Sequence, residues 1–273
     1  MRESREMRRR LDACLAVHEG VAMADRSRQA EREIAHGRRL AGGDTERIWG
    51  WGMPAGRLRA RRRAELIIRG AGLGPRVRAL EIGCGTGLFT EMFAESGADL
   101  LAVDISEELL EKARARRIAA GLVRFQEGRF EDTRVDGPFD AVIGSSVLHH
   151  LDVQTALVRI HALLRPGGRL CFAEPNMLNP QVFMERRFRR WFPHVSPDET
   201  AFVRWRLQRL LGETGFTEVS VVPFDWLHPA TPRPLIRYVQ RMGCWLERAP
   251  GIRECAGSLL IRGCRPTSGS GPQ

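Results

Sequence analysis

Apolar residues at Val77, Ala79, Leu80 and Ile82 form a short run that suits a strand buried on both faces. The run enters Gly83-Cys84-Gly85-Thr86-Gly87, and a helical pattern follows from Leu88 to Ser96. A second apolar run, Leu100 to Val103, ends in the carboxylate of Asp104. Further runs at Leu122–Gln126, Phe139–Ser145, Arg169–Glu174, Phe216–Phe224 and Ser258–Arg262 read as strands. Helical stretches separate them. One spans Arg57 to Arg69 before Gly70, and one is capped by Ser106, with Glu107 and Glu108 in its first turn and Gly121 past its end. A third runs from Val153 to Leu164 behind Asp152 and stops at Pro166-Gly167-Gly168. Strands alternating with helices predict an α/β protein built on a doubly wound sheet.

Two stretches interrupt the alternation. Between Pro175 and Pro197, Met184, Phe188, Trp191 and Phe192 recur at helical spacing among Arg186, Arg187, Arg189 and Arg190, which predicts a basic amphipathic helix. Ser196-Pro197-Asp198-Glu199 is a strong helix start, with the helix continuing through Trp205 and Leu210 to Gly215. Pro229 to Glu254 is a second insert: a proline-rich connection leads into a helix with Ile236, Val239, Met242 and Leu246 on one side, ended by Pro250-Gly251. Residues 1–47 hold few large apolar side chains and predict an arm that is helical or partly disordered, with Met1 and Met23 both candidate starts. Residues 48–265 form the main domain, and 266–273 read as a disordered tail.

The glycine turn is the strongest chemical signal. A dinucleotide fingerprint reads G-x-G-x-x-G, whereas here the pattern is G-x-G-x-G with Leu88 in the next position, and the lysine of a phosphate-binding P-loop is missing. Asp104 stands at a strand's carboxyl end, where an acid accepts both hydroxyls of a ribose. Turn and acid together suggest a nucleoside without a pyrophosphate.

In these segments the sequence resembles the class I S-adenosylmethionine-dependent methyltransferases of the small-molecule type. The resemblance rests on Glu81-Ile82-Gly83-Cys84-Gly85-Thr86-Gly87, Val103-Asp104, Phe139-Asp140-Ala141-Val142-Ile143, Val147-Leu148-His149-His150-Leu151 and Leu164-Arg165-Pro166-Gly167-Gly168, which fall in register over about residues 76 to 175. It implies a Rossmann-like sheet of seven mostly parallel strands, the last antiparallel and lying beside the sixth. It implies S-adenosyl-L-methionine as cofactor. The cofactor's methionine part would be held at Glu81, Gly83, Cys84, Gly85 and Gly87, its ribose by Asp104, its adenine near Ile105 and Phe130, and its amino group by the segment from Ser145. The family pattern after the third strand is Gly-Asp-Ala, whose acid accepts from the adenine amine, but this chain reads Gly128-Arg129-Phe130. Arginine has no acceptor, so Glu127, Glu131, Asp132 or backbone carbonyls are left to stand in at Arg129. Trp49 or Trp51 is placed to cover the cofactor, or both pack the preceding helix on the domain. His149 and His150 are candidate general bases and Glu174 a candidate to orient the acceptor, beside purely structural roles for all three.

Composition narrows the partners. The net charge is +10, and every basic residue except Lys112 is arginine, spread along the chain rather than clustered, so nucleic-acid binding is not expected. Six cysteines form no C-x-x-C pair, which points to reduced thiols and no metal. No apolar run reaches the length of a membrane span, and charges interrupt any signal-like core before Ala24; the expected location is cytoplasmic. The expected activity is methylation of a small acceptor. The apolar residues of the inserts favour a hydrophobic acceptor and their arginines one carrying negative charge; the basic amphipathic helix of the first insert is expected to close the acceptor pocket, with peripheral membrane contact through 182–192 or an anionic partner as alternatives. The alternatives are an RNA or protein methyltransferase, for which no Asn/Asp-Pro-Pro-Tyr/Phe signature is present, and a scaffold or regulator that keeps the fold without catalysis.

Overall fold

The structure is a computed structural model that describes residues 31, 34, 35, 37–39, 42–188, 190 and 201–267. The elements in chain order are α1 (Thr45–Ile48), α2 (Pro54–Ala71), β1 (Arg78–Ile82), α3 (Leu88–Ala94), β2 (Asp99–Asp104), α4 (Glu107–Arg114), β3 (Val123–Glu127) and β4 (Phe139–Ser145). They continue with α5 (Val153–Leu163), β5 (Leu164–Pro175), α6 (Pro180–Arg187), α7 (Arg204–Glu213), β6 (Thr217–Phe224), α8 (Ile236–Leu246) and β7 (Ser258–Cys264). The residues expected to form most of the N-terminal arm (1–30), Trp191, Phe192, the helix start at Ser196 and the tail beyond Thr267 lie outside the described residues.

The seven strands form one sheet in the order β3-β2-β1-β4-β5-β7-β6. β1 pairs in parallel with β2 and β4, and β7 runs antiparallel between β5 and β6, as the resemblance implied. Strand order reverses between β1 and β4, so the crevice outside their carboxyl ends is where this kind of sheet takes a ligand. The pleat divides the core in two. Leu80, Ile82, Val142, Phe172 and Ile261 pack with α5 and α7 residues such as Leu157, Ile160 and Leu207. Ala79, Ile143, Cys171 and Leu260 pack on the other face with Ala60, Ala64 and Ile67 of α2 and Phe93 of α3. Phe93, Phe139 and Phe172 are fully buried, each contributing about 1.5–3 kcal/mol relative to exposure.

Three boundaries depart from the pattern-based reading. The first helix does not stop at Gly70 but runs on to Ala71, and Gly72, at φ 69°, is its left-handed cap. Gly70 is small for another reason: a Cβ there would lie 2.6 Å from the Cys171 Sγ of β5. The helix capped by Ser106 ends at Arg114, well before Gly121. In the 175–197 insert, the described helix is α6, with Asn179 accepting from the amides of Gln181 and Val182; it buries no side chain.

Candidate functional site

The turn after β1 is held by the end of β2. The amides of Gly83 and Cys84 both donate to the Val103 carbonyl, at 2.8 and 3.2 Å. The Gly85 amide donates to Asp104 Oδ2 at 2.7 Å, and the Ser106 amide to Oδ1 at 3.0 Å. Each carboxylate oxygen keeps a lone pair for a further donor. Gly83 sits at φ 67°, and a Cβ there would collide with the Val147 side chain, so only glycine lets the bend lie against the start of the β4 loop. Burial raises the Asp104 pKa, against the amides of Ser106 and Gly85 and the charge of His150.

A cavity of about 780 Å³ opens over this bend at the carboxyl ends of β1, β2 and β4. Of the candidate cofactor residues, Gly83, Cys84, Gly85, Asp104, Ile105, Arg129, Phe130 and Ser145 are on its wall. Glu81 and Gly87 are not. Glu81 is buried on the α3 side of the sheet, with one carboxylate oxygen lacking a hydrogen-bond partner; burial pushes its pKa up to about 8, opposed by the Thr90 hydroxyl and reinforced by Asp104. Gly87 begins α3, and a Cβ on it would meet Ala113 of α4, so it serves the packing of two helices. The Cys84 thiol is pushed well up by burial, by Asp104 and by Glu81, and stays neutral. Among the acids considered as stand-ins beside Arg129, only Glu131 reaches the wall. Its Oε2 is buried, lies 3.3 Å from Arg129 Nε and accepts no hydrogen bond.

The segment before α2 closes the cavity. Trp49 lies over Gly85, whose Cβ, if it had one, would be 3.3 Å from the indole. Trp51 meets Phe89 edge-on, with centroids 5.4 Å apart, and also lines the wall. Both readings of the tryptophans therefore have a counterpart, one in each residue. Arg116 fastens this segment: its guanidinium bonds Glu46 of α1, Glu91 of α3 and the Thr86 carbonyl of the glycine turn. Lys112 adds bonds to the Gly43 carbonyl and the Thr45 hydroxyl.

The pattern-based reading missed Arg63. Its side chain is 3% exposed and donates to the hydroxyls of Ser145, Ser146 and Ser258. The guanidinium lies between the rings of Trp51 and Phe224, 5.2 and 5.8 Å from their centroids. No carboxylate among the described residues pairs with it, and its Nε has no hydrogen-bond partner. Burial, with Arg59 nearby, lowers its pKa to about 10, so it stays charged at neutral pH. A signal was available: Ala60, Arg63, Ala64 and Ile67 share one buried stripe of α2, and a charge on such a stripe needs a partner. The arginine run Arg61-Arg62-Arg63 hid it, because the first is exposed and the second pairs with Glu247.

At the far wall, β4 ends in a turn with Ser146 at φ 56°. The turn aims the Val147 and Leu148 amides at Glu174 Oε1, both at 2.9 Å, while Oε2 is 2.7 Å from His149 Nδ1. Burial alone would raise the Glu174 pKa; the His149 contact and the two amides outweigh it and hold it below the usual glutamate value. An ionised Glu174 makes Nδ1 the donor, which leaves Nε2 of a neutral ring as an acceptor. His149 and His150 line the cavity with ring centroids 4.2 Å apart. Glu174, expected to face the cleft, stands behind His149 because the turn and the ring together cover it. Asn179 to Arg186 around α6 and Trp226 to Ala230 before α8 form the mouth. There Arg59 pairs with Asp225 at 2.7 Å and Arg186 with Glu185 at 3.6 Å. Among the described residues, no three His, Cys, Asp or Glu side chains come together as a metal site, and no helix is long and apolar enough to cross a membrane.

Comparison with known proteins agrees with this geometry. A family model described as a methyltransferase domain matches residues 80–172. The chain is 38% identical over 103 residues to a ubiquinone biosynthesis O-methyltransferase of Xanthomonas axonopodis pv. citri, a match covering 36% of this chain and 43% of that protein. A similar protein of Xylella fastidiosa is 38% identical over 97 residues, 34% of this chain and 39% of the relative, so the chain spans less than half the length of the curated relatives it matches. The fold is similar to that of the N-methyltransferase NodS from Bradyrhizobium japonicum WM9, solved with S-adenosyl-L-homocysteine: the TM-score is 0.57 at 21% identity, over 85% of this chain and 98% of that one.

Proposed function

We propose, from the methyltransferase-domain family model that matches residues 80–172, that this protein transfers a methyl group from S-adenosylmethionine to a small hydrophobic acceptor. The observation that carries the reading is one cavity with a ribose-type acceptor, Asp104, beside the glycine bend and a buried cation, Arg63, that no carboxylate among the described residues pairs with, beside the ends of β4 and β7. The residues present fit the cofactor. Arg63 would hold its carboxylate, Asp104 its hydroxyls, Ile105 and Phe130 its adenine ring, and Glu131 the adenine amine in place of the missing family acid. The Gly85 backbone leaves room beneath Trp49, and Ser145 is a further polar contact.

When bound, the cofactor would supply an electrophilic methyl group on a sulfonium, with the neutral thioether as the leaving group. The chain's part is alignment and a dry cavity, together with a base where the acceptor must lose a proton. His149 takes that proton at Nε2, and Glu174 steadies the resulting imidazolium through Nδ1. His150, its ring tilted against that of His149, completes this wall. At the mouth Arg59 is paired with Asp225 and Arg186 with Glu185, and the apolar surfaces of Val182, Trp226 and Leu227 support a hydrophobic acceptor.

Calorimetric titration with S-adenosylhomocysteine tests the cofactor half. The wild type is expected to bind, and Asp104→Ala to bind at least tenfold more weakly; absence of heat with the wild type overturns the reading. An acceptor panel tests the rest, and methylation confined to small, polar, cationic acceptors would sink it.

A further inference from the structure

Helix α8 carries more apolar surface than the core uses. Its inward side is Ile236, which packs with Ala55 and Leu227, and Gly243, which lies against Trp226. Leu235, Tyr238, Met242 and Trp245 are each more than half exposed. At about 100° per residue these four fall within an arc of about 80°, so they form a single stripe along the helix. The arc beside it carries Arg237, Arg241 and Arg248, all exposed and with no acidic partner among the described residues. Residues 236–246 contain no acid, and the Glu247 that follows is taken by Arg62 at 2.5 Å.

We propose that this face of α8 docks on an anionic phospholipid surface. A bilayer interface offers what the stripe and its neighbours need together: an apolar layer for Leu235 and Met242, a boundary for the amphipathic rings of Tyr238 and Trp245, and negative headgroups for the arginines. A second copy of the chain meets this face poorly, because a twofold contact on the stripe brings both arginine arcs together. Nucleic acid pairs with the arginines but leaves the stripe in water. The contact is on α8, apart from the 182–192 segment. It stands independently of the methyltransferase reading. Where that reading also holds, the bilayer gains a functional meaning: α8 packs on Trp226 and Leu227, which line the acceptor side of the cavity, so docking brings the mouth toward the source of a lipid-soluble acceptor.

Co-sedimentation of the full chain with vesicles tests this. Wild-type protein is expected to pellet with mixed phosphatidylglycerol and phosphatidylcholine vesicles, and far less with phosphatidylcholine alone or at high salt. The variant Tyr238→Ser/Met242→Ser/Trp245→Ser should lose at least tenfold in vesicle affinity, and Arg237→Gln or Arg241→Gln about fivefold each. Unfolding midpoints close to wild type establish that the variants are folded. Trp245→Phe gives a second, conservative measurement: brominated acyl chains should quench wild-type fluorescence and quench this variant less. The proposal falls if wild type stays in the supernatant with anionic vesicles, or if Trp245→Phe leaves the quenching unchanged. It also falls if wild type is a dimer that the triple variant converts to a monomer. S-adenosylhomocysteine binding is scored separately, so a failed cofactor assignment leaves the vesicle result intact.

Discussion

The guanidinium of Arg63 is surrounded by three serine hydroxyls and two aromatic rings, none of which cancels its charge, and an anion arriving there gains charge-assisted bonds in a site shielded from water. If that anion is the cofactor's carboxylate, Arg63→Gln should weaken S-adenosylhomocysteine by about 10- to 100-fold, the loss of a hydrogen bond to a charged group at about 1.5–3 kcal/mol. Adenosine, which lacks the carboxylate, should bind both proteins alike; titration with the two ligands separates this role from general damage. Glu174 gives a second test. In Glu174→Gln the oxygen can still accept from the Val147 and Leu148 amides, but the new amide donates to His149 Nδ1 and moves the ring proton to Nε2. A base at His149 then fails: kcat should fall about 100-fold with the cofactor KM unchanged, and the rising limb of the pH–rate profile should disappear. A purely structural Glu174 would lower the unfolding midpoint and leave that profile in place. At this scale Asp104 and the glycines were legible because backbone geometry restricts those positions to few residue types. Arg63 was not, because one arginine among three reads the same until the helix is packed.

Among the elements, α1 and the Trp49–Trp51 turn behave as a cover held on by Arg116. Arg116→Gln removes the bonds to Glu46, Glu91 and the Thr86 carbonyl, although Arg116 itself is not on the cavity wall. It is expected to speed dissociation of S-adenosylhomocysteine by about tenfold in stopped-flow displacement, with a smaller effect on association; equal rates in both proteins would show that the cover does not gate the cofactor. The strands of the sheet were readable because each is a short apolar run between turn signals. Helix ends were less so. Gly70 reads as a stop and acts as a contact with Cys171, while α4 ends seven residues before Gly121 because Arg116 is drawn to the glycine turn. Tertiary contacts chose those boundaries, and local propensity is too weak to oppose them.

For the whole molecule, the consequential group is Glu81, fully buried beneath the bend. Its folded pKa of about 8 exceeds the ordinary 4.5, so the folded chain holds a proton that the unfolded chain releases. Its contribution to stability is complete below pH 4.5 and is lost as pH rises through about 8, with a slope near 1.4 kcal/mol per pH unit between them. Scanning calorimetry across this range should show wild type declining more steeply than Glu81→Gln, which has no proton to lose; parallel curves would refute the buried-acid account. Glu174 has the opposite sign. Its folded pKa is depressed, so its stabilisation is present above the ordinary glutamate value and is lost as pH falls through the lower folded one.

The order of apolar runs and glycines by itself determined the strand-helix alternation, the bend and the position of Asp104, because burial and backbone freedom act on near neighbours in the chain. Only the tertiary structure decided which arginine is buried, which acid reaches the cavity beside Arg129 and which side of α8 is exposed among the described residues. Those outcomes depend on residues far apart in sequence: Arg63 meets Ser258 across 195 positions, and Glu174 meets His149 across 25. Charge and hydrogen bonding at a site are set by what the fold brings within a few ångströms, and the spacing of one chain carries no record of that.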